Sequence, residues 1–205
     1  MPNYTDLAGL TGIAVAASAA LLLLPGIARL PRLHQSMLQG AVFVLMLIPF
    51  GEMPLAAYLR GATGDLSITT LLLVWCVLLR SCSGCGTKDT MSRQALLALV
   101  ALAALALYPL GLGLGTFDPY RLGYGDPIFV IVLLLIALAG WFWKYHLAAL
   151  CIVFAVYAWA LGWYESDNLW DYLLDPWVAI YSLYVIAKHG IKIFLRRDKE
   201  HEALP

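Results

Sequence analysis

Residues 95–107 read Ala-Leu-Leu-Ala-Leu-Val-Ala-Leu-Ala-Ala-Leu-Ala-Leu without one charge, and stretches of this kind recur along the chain. A helix that is apolar all round has no face to offer water, so it must be buried in protein or in lipid. Crossing the hydrocarbon of a bilayer takes about 20 predominantly apolar residues. Seven segments are candidates, at roughly 7–28, 36–59, 67–80, 93–115, 127–144, 146–164 and 176–195. Of all residues 62% are hydrophobic and 13% charged, against roughly 45–50% and about 25% in a soluble domain; that surplus needs lipid as its solvent. The sequence therefore predicts an all-α, polytopic transmembrane bundle of about seven spans over residues 1–195, with a polar tail at 196–205. The formal net charge is zero, so nothing points to nucleic acid.

Proline and glycine punctuate these segments. The first is expected to stop at Pro25-Gly26 and the second to kink or break where it meets Pro49, Gly51 and Pro54, since a proline cannot continue a helical hydrogen-bond ladder. The third, Ser67 to Arg80, would reach only about 21 Å at 1.5 Å per residue. The fourth carries Tyr108-Pro109 and then Gly111, Gly113 and Gly115, which suit either a close helix contact or a frayed end. Only Lys144-Tyr145-His146 separates the fifth from the sixth, which predicts a tight antiparallel hairpin. Between Glu165 and Asp175, Leu169, Trp170, Leu173 and Leu174 recur at helical spacing, as in a short amphipathic surface helix. No Lys or Arg precedes the first apolar run, so a cleaved secretory signal is not expected.

Charge sets the orientation. Assigning alternate loops to one side puts Arg29, Arg32, Arg80, Lys88, Arg93, Lys144, Lys188, Lys192, Arg196, Arg197 and Lys199 together, 11 of the 13 basic residues. Cytoplasmic loops hold Lys and Arg in excess, which predicts an external N-terminus, a cytoplasmic C-terminus and an odd number of spans. Arg60 and Arg121 fall on the other side with Asp6, Glu52, Asp65, Asp118, Asp126, Glu165, Asp167, Asp171 and Asp175. Compact loops suggest a bacterial inner membrane.

If the outer loops converge, they form an acidic, arginine-containing pocket. A carboxylate there, Glu52 or Asp65, is a candidate general acid or base, and Arg60 or Arg121 a candidate holder of a phosphate or carboxylate. The plainer expectation is structural. Asp118-Pro119, Asp126-Pro127 and Asp175-Pro176 each put a capping acceptor before a proline suited to a first helical turn, and each arginine has an aspartate near enough in sequence to pair with. Glu52, between Pro49 and Pro54 in apolar surroundings, lacks such an explanation, and an ionisable group there has a functional role as its default reading.

Cys82-Ser-Gly-Cys85 has redox or metal spacing, but no second pair completes four ligands; reduced thiols in a turn are expected. The four histidines form no ligand pattern. No cofactor and no metal is expected. With no nucleophile or cofactor box, the leading expectation is a non-catalytic partner or assembly subunit. Its bilayer-embedded helices would present Arg60, Arg121, Asp118, Asp126, Trp170 and Asp171 to another envelope protein. A membrane enzyme acting on a lipid-linked or phosphorylated substrate, and a transporter component with interrupted helices, are the alternatives.

Overall fold

A computed structural model describes residues 4–83 and 90–202, and among them the chain is all-α apart from one two-residue hairpin. Helix α1 (Tyr4–Ala20) gives way to single 3-10 turns on either side of Pro25-Gly26, and α2 (Arg32–Leu47) begins directly after Pro31. Gln35 closes the bend by donating its Nε2 to the carbonyls of Ile27 and Leu30.

The second apolar segment breaks where its prolines predict. Ile48, the residue before Pro49, is extended at φ −73° and ψ 132°, because the proline ring excludes the helical conformation there. The chain then forms a hairpin, β1 (Pro49–Phe50) with β2 (Met53–Pro54), and resumes as α3 (Leu55–Thr63). Gly64, at φ 74°, ends α3 by donating its N–H to the Arg60 carbonyl. The third segment is α4 (Ile68–Ser83).

Helix α5 (Thr90–Gly111) runs through Pro109 for its last turn and stops at Gly111, and Gly113 and Gly115 lie in the loop that folds back on its end. Helices α6 (Pro127–Phe142) and α7 (His146–Ala160) form the expected hairpin. Its turn depends on Lys144 in the left-handed region at φ 64°, which lets the Tyr145 N–H reach back 2.7 Å to the Gly140 carbonyl. A short α8 (Leu169–Leu173) follows, and α9 (Pro176–Glu202) continues well past the expected span, so the basic segment from Arg196 extends a helix. The Cys82–Cys85 turn and Lys88 lie outside the residues whose side chains are described.

Helix α7 sits at the centre, packed against α4, α5, α6 and α8, while α1 packs on α2, α3 and α4, and α5 pairs with α9. Small residues allow this: Ala148, Ala149, Cys151, Ala155 and Ala158 of α7 are all buried, so its neighbours approach closely. Leu96, Val100, Ala104 and Leu107 of α5 pack with Val178 and Ala179 of α9. Helices α5 and α6, consecutive in sequence, are linked through α7 and hardly touch each other.

The outside of this assembly is apolar. Helix α6 holds no charge and buries Leu133 and Ala137, while Ile128, Ile131, Leu135 and Leu138 are each more than half exposed. Contiguous exposed apolar surface of that kind is rare on water-soluble monomers. Two helices, Thr5–Leu23 and Met91–Gly111, are long and apolar enough to cross a membrane, and Ile68–Leu79, Pro127–Phe142 and His146–Ala160 are shorter apolar helices.

Candidate functional site

Four separated parts of the chain meet at one end of the bundle: the start of α1, the α3–α4 link, the α5–α6 link and the α7–α9 link. Arg60, near the end of α3, is the first hub. Its Nε and Nη2 donate to the two oxygens of Asp65 at 2.6 and 2.9 Å, and its Nη1 donates to Asp6 at 2.9 Å. Glu165 adds a longer ion pair at 3.7 Å. The side chain is 16% exposed. Helix α1 reaches this hub because residue 9 is glycine: a Cβ there would lie 2.3 Å from Asp65 Oδ1 and 2.6 Å from Arg60 Nε.

Asp175 is the second hub, and it is 4% exposed. One oxygen caps α9 by accepting from the Val178 N–H at 2.8 Å. The other accepts from the Ser67 N–H and Oγ, both at 2.8 Å, and from Thr70 Oγ1. One carboxylate thus caps its own helix, as Asp175-Pro176 predicts, and also fastens the start of α4 to the start of α9.

Between these hubs two stacked tyrosines, with centroids 4.9 Å apart, carry the connection. Tyr164 donates its hydroxyl to the Leu66 carbonyl at 2.8 Å, and the Tyr172 hydroxyl accepts from the Tyr164 N–H and donates to the Ser166 carbonyl.

The α5–α6 link is tied to α8. Asp118 and Asp126 cap the turns that follow them, accepting from Tyr120 N–H and from Ile128 and Phe129 N–H respectively. Asn168 caps α8 through Oδ1 and donates Nδ2 to the Tyr120 carbonyl at 3.0 Å. Trp170 donates its indole N–H to the Pro119 carbonyl at 2.9 Å. Asp171 accepts from the Tyr120 hydroxyl and from Ser166 Oγ.

Burial, and then the charge of Asp171, push the Tyr120 hydroxyl up from its ordinary value of 10.0. Above that pH the unfolded chain releases a proton that the folded chain retains, so stability should fall as pH rises. Thermal melts in detergent between pH 9 and 11.5 should show this decline, with a shallower slope for Tyr120→Phe. Equal slopes would mean that the hydroxyl is not held as described.

The expected site residues divide accordingly. Arg60 and Asp65 come together, joined by Asp6 and Glu165. Asp65, Asp171 and Asp175, with Thr63, Tyr164 and Ser166, line a cavity of about 270 Å³, but each of these carboxylates already accepts from protein donors. Arg121 is exposed and lines a second cavity of about 330 Å³ with Phe117, Asp118 and Asp126. The expected aspartate partner is found for Arg60, while among the described residues Arg121 makes no ion pair. Glu52 is exposed in the hairpin, without a hydrogen bond or ion pair among the described residues. Glu52, Asp65, Arg60 and Arg121 thus do not converge on one pocket. Trp170 and Asp171 are bonded into the platform itself. Among the described residues no three His, Cys, Asp or Glu side chains come close enough to share an ion.

Sequence reasoning sorted Asp6 to the side of Arg60 without pairing the two, and it missed Ser67, Thr70, Ser166 and Asn168. Ser67 and Asn168 each precede a helix and carried a capping signal. No family model matches the chain, nor does any curated protein or solved structure.

Proposed function

We propose that the chain is a multi-pass protein of a bacterial inner membrane, with about seven spans, an external N-terminus and a cytoplasmic C-terminus. It acts as a non-catalytic partner or assembly subunit that docks another envelope protein at its outer face. The spans are α1, α2 with α3, then α4, α5, α6, α7 and α9. The meeting of the acidic links at one end agrees with helices that alternate in direction, and the exposed apolar flanks of α6 agree with lipid around them.

The single observation that carries the docking reading is that the gathered carboxylates are already engaged by protein donors. Asp65, Asp171 and Asp175 act as fasteners, so the face is a braced platform. Exposed on it are Arg121, Phe117 and Tyr124, the last packed edge-on against Tyr120. An arginine among aromatics is the composition of interface anchors, where a few such side chains dominate binding.

The enzyme alternative retains one supporting observation, the acidic cavity of about 270 Å³, but has lost Glu52 from its neighbourhood. The transporter alternative is weakened because the two cavities between α5, α6 and α7 are lined almost wholly by apolar side chains.

Affinity capture in mild detergent, with partners identified, tests the docking reading. Arg121→Ala and Phe117→Ala should each lose the captured partner at least tenfold while leaving the melting temperature of the chain unchanged. Undiminished capture would reject this face. Topology is tested separately: a reporter active only outside the cytoplasm should light up after Asp118 or Asp167 and stay dark after Lys88 or Arg197. The opposite pattern would invert the orientation.

A further inference from the structure

The gap between α5 and α6 is a built feature. One cavity of about 490 Å³ and a second of about 260 Å³ share Leu99 of α5, Val132 and Ile136 of α6, and Ile152 on the floor formed by α7. They are therefore one continuous apolar groove. Its two ends differ. At the acidic end Phe129 and Trp170 line it with ring centroids 4.8 Å apart, and Trp170 is held there by its bond to the Pro119 carbonyl. At the other end Trp143 and Tyr145 line the mouth, and between them in sequence stands Lys144, exposed and held in the left-handed conformation that makes the turn.

We propose that this groove holds one acyl chain of an anionic phospholipid from the cytoplasmic leaflet, with its phosphate at Lys144. The proposal rests on the membrane-spanning part of the reading above, not on the docking part. Its length fits: from Ala95 to Ala106, both lining residues, α5 rises about 17 Å at 1.5 Å per residue. That is long enough for one extended acyl chain to run from the Trp143–Tyr145 mouth toward Phe129 and Trp170. Charge selects the headgroup, because a lysine at the membrane surface attracts anionic lipid by about 1 kcal/mol, about a fivefold preference.

The test uses the full chain reconstituted in vesicles of equal phosphatidylglycerol and phosphatidylethanolamine, extracted in mild detergent and weighed by native mass spectrometry. The wild type should retain one phospholipid per chain, with phosphatidylglycerol favoured about fivefold. Ala139→Phe from the α6 wall and Ala103→Phe from the α5 wall should each reduce retention at least fivefold, with melting temperatures near that of the wild type. Lys144→Gln should keep the lipid and lose the preference for phosphatidylglycerol. Retention unchanged in both filled variants, no retained lipid in the wild type, or indifference to headgroup would overturn the proposal, as would a co-purifying polypeptide displaced by the same two substitutions. A chain that stays dissolved without detergent would instead overturn the spanning reading, an outcome distinct from each of these.

Discussion

Asp175→Ala is expected to lower the stability of the detergent-solubilised protein by about 3–5 kcal/mol, roughly 10 °C in melting temperature. The reason is the number of donors that one side chain serves. Ser67 is fully buried, and its N–H and hydroxyl both end on Asp175 Oδ2, while the first turn of α9 ends on Oδ1. Alanine leaves these donors without acceptors where water does not reach, and an unsatisfied buried donor is more destabilising than a whole hydrogen bond is stabilising. Asp175→Asn separates this account from a purely steric one. With its oxygen placed at the Oδ2 position it keeps the α4 bonds and loses the cap, so about 1–2 kcal/mol should go. An alanine variant that melts within 2 °C of the wild type would mean that α4 and α9 are not joined through this carboxylate.

Gly123→Ala is expected to be a strongly damaging single-methyl addition. Its Cβ would stand 1.7 Å from Asn168 Oδ1 and 2.8 Å from Trp170 Cδ1. Asn168 is fully buried and bonded on both sides of its amide, so it cannot move without breaking the α8 cap and its bond to Tyr120. Overpacking of this kind destabilises by about 1–3 kcal/mol, and the lost cap adds about 1 kcal/mol. Hydrogen exchange should report faster exchange at the Trp170 amide and little change in α1. Gly26→Ala is the control, since nothing lies within 4 Å of its Cβ; its stability should stay within about 0.5 kcal/mol of the wild type. A Gly123→Ala protein as stable as that control would show that the α5–α6 link and α8 are not in contact.

The elements legible in the sequence were those set by local chemistry. Pro49 and Pro54 break the second segment because a proline acts on its immediate neighbours. Asp118, Asp126 and Asp175 cap for the same reason: the acceptor and the N–H it serves lie two or three residues apart. Charge sorting told which loops belong to one end. It could not tell which side chains in those loops would pair, because Arg60 and Asp6 are 54 residues apart and Asp175 and Ser67 are 108 apart. Such partners are fixed by how α1, α4, α7 and α9 pack, and packing here depends on the alanines of α7 and on Gly9, none of which stands out in a sequence rich in both. The same limit hid the groove. Consecutive apolar helices read as neighbours, yet α7 takes the place between α5 and α6. Trp170 and Asp171, expected to meet a partner, are half-buried and hydrogen-bonded to Pro119, Tyr120 and Ser166.

Asp175 follows Ser67 by 108 residues, so its bonds to Ser67 form only after all the chain between them has been synthesised. Until then the Ser67 N–H at the start of α4 lacks the acceptor that it has in the folded chain. A nascent chain cut short before residue 175 therefore carries a polar mark of incompleteness that a quality-control protease would recognise.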